Sequence, residues 1–251
     1  MNAHKVKTIQ IQTHSNSPLG TRGLGNRGSL FLLLTLSTLF SFALFAFRLE
    51  YVDFDYSKIQ SVRDLCFYRG TQTFFFLNWN LFLAWIPYLI ALSLPFLYRT
   101  FNSKIIIVGA LLCWLLFFPN APYIVTDFLH LKKRMGIPLW YDLMLFMSFA
   151  WTGLILGYVS LLEVQTFLRN FFSKTIVNIG SIIAILLCGF GIYLGRFQRW
   201  NSWDIVTQPF SLFADILTIL AQPHTLGLAI VLSAFLLLGY FTLNTLAQSE
   251  R

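Results

Sequence analysis

Apolar residues fall into six long runs, separated by short stretches where charges and turn-forming residues collect. The runs lie near residues 28–47, 74–98, 102–126, 142–162, 175–195 and 225–247. Each is close to the ~20 residues that carry a helix across ~30 Å of hydrocarbon. None alternates apolar and polar positions as barrel strands do. A backbone in lipid must satisfy its own hydrogen bonds, so each run predicts a spanning helix. The fold class that follows is an all-α integral membrane protein of about six transmembrane helices. Two amphipathic stretches predict short interfacial helices on the outer side: Ile59, Val62, Leu65 and Cys66 have helical spacing, as do Phe213, Ile216, Leu217 and Leu220 between Pro209 and Pro223. Residues 1–27 read as a flexible cytoplasmic tail, and residues 28–248 as one membrane domain. The first run is too long for the apolar core of a signal peptide, and no small-residue cleavage site follows it.

Composition supports this class and removes others. The chain of 251 residues is 57% hydrophobic and 11% charged, whereas a soluble globule carries about 25% charged residues. That excludes a soluble globule, a disordered chain and a coiled coil. The net charge of +8 is spread over the tail and the ends of the runs. No nucleic-acid motif accompanies it, so the expected partner is the lipid bilayer and not nucleic acid. The three cysteines lack CxxC spacing and form neither a disulfide framework nor a zinc site. Gly23, Gly25 and Gly28 have GxGxxG spacing, but a span follows and no strand precedes, so a dinucleotide site is rejected.

The 18 Lys and Arg divide evenly between the two sides of the membrane. The tight connections near residues 99–104 and 169–174 carry basic residues and no acids, which is expected to place them and both termini on the cytoplasmic side. Glu50, Asp53, Asp55, Asp64, Asp127, Asp142, Asp204 and Asp215 then fall on the outer side, in the longer connections. The inner face is expected to be bare and the outer face built.

Candidate chemistry collects on that outer side. Pro119-Asn120-Ala121-Pro122 interrupts the third run. Either the helix starts early, near Phe101, or the break lies within the membrane. Asn120 is expected to cap a new helix that has Tyr123, Asp127, His130 and Arg134 on one face, with Ile124, Phe128 and Leu131 opposite. Arg196, Arg199, Trp200, Asn201, Trp203 and Asp204 leave the fifth run as a second cluster. Snorkelling arginines in an aromatic belt are the plainer account of it, yet its density suits a ligand, and the arginine fork matches phosphate or carboxylate. Asn78 and Asn80 flank Trp79 at the start of the second span, Asp142 opens the fourth, and His224 opens the sixth. Small-residue spacings at Gly153 and Gly157, and at Gly191 and Gly195, predict that the fourth and fifth spans approach closely and bring Asp142 near Arg196. Asp127 and His130 at i, i+3 are the candidate catalytic pair and, if a metal is held, half of its ligands, with Asp142, Asp204 and His224 as completing candidates. Ser202 has no GxSxG elbow, and HExxH, P-loop and EF-hand motifs are absent, so the cofactor stays undefined.

Asn78-Trp79-Asn80 with Trp85-Ile86-Pro87, Phe118-Pro119-Asn120-Ala121-Pro122-Tyr123 with Thr126-Asp127 and His130, Trp140-Tyr141-Asp142, and Gly195-Arg196-Phe197 with Arg199 through Asp204 occur in order. Together they resemble the bacterial multi-pass membrane family called domain of unknown function 1361, over roughly residues 70–245. The resemblance implies an integral membrane protein and no assigned activity. Three function classes follow from the residues: a protein that grips an anionic lipid or a lipid-linked envelope precursor, an intramembrane enzyme built on Asp127 and His130, and a small transporter. Against the last, the middle of the spans holds almost no ionisable residue.

Overall fold

A computed structural model of the chain describes residues 27–55, 57, 59, 61, 73–133, 136–220 and 223–249. The first amphipathic stretch, at Val62, Leu65 and Cys66, lies outside the described residues, as do Gly23, Gly25, Arg134 and the His224 side chain. In chain order the helices are α1 (Arg27–Tyr51), α2 (Phe75–Phe101), α3 (Lys104–Phe117), the single turn α4 (Asn120–Tyr123), a 3-10 helix (Ile124–His130), α5 (Leu139–Leu168), α6 (Lys174–Phe197), the turn α7 (Asp204–Thr207), α8 (Pro209–Leu220) and α9 (Pro223–Ser249). Among the described residues six helices are long and apolar enough to cross a membrane, the third being the composite Lys104–His130.

Local chemistry sets the element ends. Asn102 takes the left-handed conformation at φ 44°, and its N–H closes on the Tyr98 carbonyl at 3.1 Å. That stops α2, and α3 begins only at Lys104. The third span therefore does not start near Phe101, and the Pro-Asn-Ala-Pro break lies inside it. At the start of α6 the Ser173 hydroxyl accepts from the Ile176 N–H, a side-chain cap on a free donor. The amphipathic helix expected between Pro209 and Pro223 is present as α8, with Phe210, Phe213 and Leu217 exposed along one side.

The 30-residue α5 is the central element and buries more of its length than any other span. One apolar cluster joins it to α1 and α2 through Phe45, Leu81, Phe146 and Phe149, and a second joins it to α3, α6 and α9 through Trp114, Leu161, Ile185 and Leu236. The molecule has a tight end, with the connections Asn102–Ser103 and 169–173, and a loop-rich end, with the described residues 52–55, 73–74, 131–133, 136–138 and 198–203. The tight end is not bare, contrary to the expectation for the inner face. Glu163 is buried against Arg27 at 2.8 Å, and Gln165 Nε2 donates to Ser181 Oγ at 2.7 Å and Tyr240 Oη at 2.6 Å. Polar groups from helices separated in sequence satisfy one another there, which no local pattern announces.

Candidate functional site

The break in the third span organises the loop-rich end. A helix leaves its last carbonyls without partners, and in lipid no water replaces them. Here the loop after α6 supplies the partners. Ser202 Oγ donates to the Leu116 carbonyl at 3.1 Å. Asn120 Nδ2 donates to the Phe117 carbonyl at 3.0 Å and to Ser202 Oγ at 2.9 Å. Asn120 is thus no N-cap: its amide repairs the end of α3, and Pro119 precedes the following turn without a side-chain cap.

Four glycines hold this break from two sides. A Cβ at Gly153 would stand 2.6 Å from the Ala121 carbonyl oxygen, and one at Gly157 would touch Ala121 and Pro122. On α6, a Cβ at Gly191 would stand 2.8 Å from Pro119, and one at Gly195 would stand 3.2 Å from the Tyr123 ring. The small-residue stripes expected to bring the fourth and fifth spans together instead receive the irregular segment lodged between them. Close approach is still their purpose.

After the break the chain winds as a 3-10 helix, three residues per turn, so residues three apart line up. Ile124, Asp127 and His130 fall in register, which replaces the α-helical face expected from Tyr123, Asp127, His130 and Arg134. Arg196, in the last turn of α6, reaches across to this segment. Its Nε donates to Thr126 Oγ1 at 2.7 Å, its Nη2 pairs with Asp127 Oδ1, and its Nη1 meets His130 Nε2 at 3.0 Å. A guanidinium only donates, so His130 Nε2 accepts. The guanidinium also lies over the Tyr123 ring at 4.3 Å. The second carboxylate oxygen of Asp127 accepts from Asn80 Nδ2 at 2.7 Å. Asp127 is wholly buried, and Arg196 keeps about a tenth of its side-chain surface exposed.

Asp142 is not part of this group. It pairs with Arg48, at 2.7 Å from Nε and 3.4 Å from Nη2, and both side chains are sealed from solvent. The Arg48 guanidinium sits 4.0 Å from the centre of the Phe74 ring, and Tyr141 Oη donates to the Leu44 carbonyl at 2.8 Å. The pairing of Asp142 with Arg196 expected from the glycine spacings is therefore wrong. Arg48 is the partner instead, and the aromatic chain of Phe74, Phe76 and Phe146 connects the two ion pairs.

The second cluster divides among several tasks. Arg196 joins Asp127. Trp200 Nε1 donates to Asp215 Oδ2 on α8 at 3.0 Å. Asp204 accepts from the Asn201 backbone and side chain at 2.6 and 3.1 Å, closing its own loop. Arg199 is exposed and takes a left-handed backbone, φ 62°. Among the described residues no three of His, Cys, Asp and Glu converge, so Asp142 and Asp204 complete no metal set with Asp127 and His130.

A cavity of about 400 Å³ lies beside the Asp127–Arg196 group, bounded by α2, α3, α6, the 200–205 loop and α8. Its polar lining is Asn80, Asn120, Tyr123, Asn201 and Ser202, with Trp79, Trp200 and Trp203 among its aromatic surfaces. Leu212 and Ile216, on the inward side of α8, close it from the interface. Asn78, half-buried on α2, is not in the lining. Thr126, Ser202 and Trp79 stand within the family-like motifs, but nothing in their local pattern separates them from belt residues.

A sequence profile of the family described as "Protein of unknown function (DUF1361)" matches residues 79–238. The chain belongs to that family. No curated protein and no solved structure matches it. The matched range contains the break, the 3-10 helix, Arg196 and the whole cavity, and leaves α1 with Arg48 outside.

Proposed function

We propose that this DUF1361 protein binds a lipid or lipid-linked amphiphile in the cavity at its loop-rich end. The observation that carries the reading is the cavity itself. At about 400 Å³ it falls within the range of small-molecule sites, with a largely apolar wall and a few converging polar groups. Its cover, α8, supports a ligand arriving from the bilayer: Phe210, Phe213 and Leu217 face outward while Leu212 and Ile216 line the cavity. A second cavity of about 350 Å³ near the tight end is lined by aliphatic side chains with Trp114, Phe172 and Ser181, and lacks the converging polar groups that would orient a head group. In this reading the loop-rich end faces outward from a bacterial cytoplasmic membrane, with both termini inside. A tag placed within residues 131–138 is then accessible from outside intact cells.

The enzyme alternative has one specific observation in its favour, the alignment of Asp127 and His130 on the 3-10 helix. Arg196 weighs against it, because the guanidinium engages both groups, including the ring nitrogen a general base would use. Native mass spectrometry of the protein released gently from its membranes separates the two. The wild type is expected to carry a lipid-sized adduct that Leu116→Trp and Ile216→Trp, which fill the cavity, diminish. Adducts equal in all three proteins overturn the reading. A metal adduct lost in Asp127→Asn transfers the case to the enzyme.

A further inference from the structure

The cavity has a chemical polarity that its size does not reveal. None of its lining residues carries a charge. Its three asparagines are all tied in the same sense. Asn80 Nδ2 donates to the Asp127 carboxylate, Asn120 Nδ2 to the Phe117 carbonyl and Ser202 Oγ, and Asn201 Nδ2 to the Asp204 carboxylate. A carboxylate or carbonyl only accepts, so these amides cannot be reversed without placing oxygen against oxygen. Among the described residues none of the three amide oxygens accepts a hydrogen bond. What the asparagines have left to offer a ligand is therefore three oxygen acceptors and, on Asn80 and Asn201, one N–H each, because an amide nitrogen carries two hydrogens. The Ser202 hydroxyl adds no donor, since it already donates to Leu116, but the Tyr123 hydroxyl and the Trp203 indole N–H are donors in the wall.

We infer that the cavity takes an uncharged head group that both donates and accepts hydrogen bonds, of the kind a glycosyl unit on a lipid presents through its hydroxyls. A phosphate or carboxylate would bring a charge into a wall that holds no cation and presents three amide oxygens. Arg196, expected to hold such an anion, is already engaged by Asp127, Thr126 and His130 and does not line the cavity. An ammonium group is a donor too and suits aromatic faces. It would enter a cavity with no carboxylate in its wall and with the Arg196 guanidinium stacked behind the Tyr123 ring. The aromatic lining gives a sugar ring flat apolar surfaces to lie on.

This inference rests on the amphiphile-binding reading, and one experiment distinguishes their failures. The full chain in phosphatidylcholine nanodiscs is titrated with n-octyl β-D-glucoside, n-octyl phosphate and octylamine, which share one tail. Tryptophan fluorescence is the readout, since Trp79, Trp200 and Trp203 line the cavity. The glucoside is expected to saturate at about tenfold lower concentration than the other two, the weight of about one hydrogen bond. Asn120→Leu and Asn201→Leu should each reduce that preference, and Asn201 is exposed on the loop after α6. Phosphate or amine binding as well as the glucoside, or a preference unchanged in both variants, overturns the head-group inference and leaves amphiphile binding standing. No saturable response to any of the three overturns both.

Discussion

Two arginine–aspartate pairs stand at the same end of the molecule, and they are built for different ends. In both, an arginine bridges distant helices, is paired with an aspartate and stacks over an aromatic ring: Arg48 with Asp142 over Phe74, Arg196 with Asp127 over Tyr123. The Arg48 pair is sealed and joins α1 to α5. The Arg196 pair keeps some exposure, shares its guanidinium with Thr126 and His130, and sits behind the cavity wall formed by Asn80 and Tyr123. Asp142 falls within the matched family range but Arg48 does not, whereas both members of the second pair do. An identical ion pair thus serves as a clamp where packing closes over it and as the support of a cavity wall where packing leaves space.

The contrast can be broken most forcefully at the sealed pair. Arg48→Ala leaves Asp142 charged and buried, and is expected to cost about 3–5 kcal/mol in denaturant unfolding of the detergent-solubilised protein. Replacing both together, Arg48→Met with Asp142→Leu, should recover most of that loss, because apolar residues of similar volume often substitute for a buried pair. If the double variant is as unstable as the single, the pair is more than a clamp. At the open pair, Asp127→Asn should cost less, about 2 kcal/mol, since Arg196 retains Thr126, His130 and Tyr123. It should also weaken amphiphile binding by displacing Asn80, whereas the sealed pair's double variant leaves binding intact. Equal binding in the two would erase the distinction. Ser202→Ala removes the donor to the Leu116 carbonyl and is expected to cost about 0.6 kcal/mol, near the average for hydrogen bonds between membrane helices. The smallest effect is at Arg199, whose left-handed backbone suits glycine. Arg199→Gly should stabilise by less than about 1 kcal/mol and leave the affinity for octyl glucoside unchanged. Lost affinity would return a cation to the binding site.

Much of this fold is legible along the chain. The six spans lie where apolar runs lie, because the length and apolarity that lipid demands are properties of contiguous sequence. Helix α8 forms where Phe213, Ile216 and Leu217 recur at helical spacing, since that periodicity too is local. The residues of the candidate site are also visible in the sequence: Asn80, Asn120, Tyr123, Asp127, Arg196 and Asn201 all stand in or beside the group described. Their relations are not. Glycine spacing points Asp142 toward Arg196, and the spacing is real, but it receives Pro119, Ala121 and Pro122 instead of the neighbouring span.

The chain by itself determined its class, the number of its spans and the place of the break, because hydropathy and the missing N–H of proline act on a residue and its near neighbours. The tertiary structure decided everything that depends on which distant groups meet. It chose Asp127 for Arg196 and Arg48 for Asp142, wound residues 124–130 as a 3-10 helix so that Asp127 and His130 align, and turned three asparagine nitrogens inward. Each of those choices is set by a few ångströms of helix packing. Packing sums contacts from the whole molecule and leaves no periodic trace along the chain.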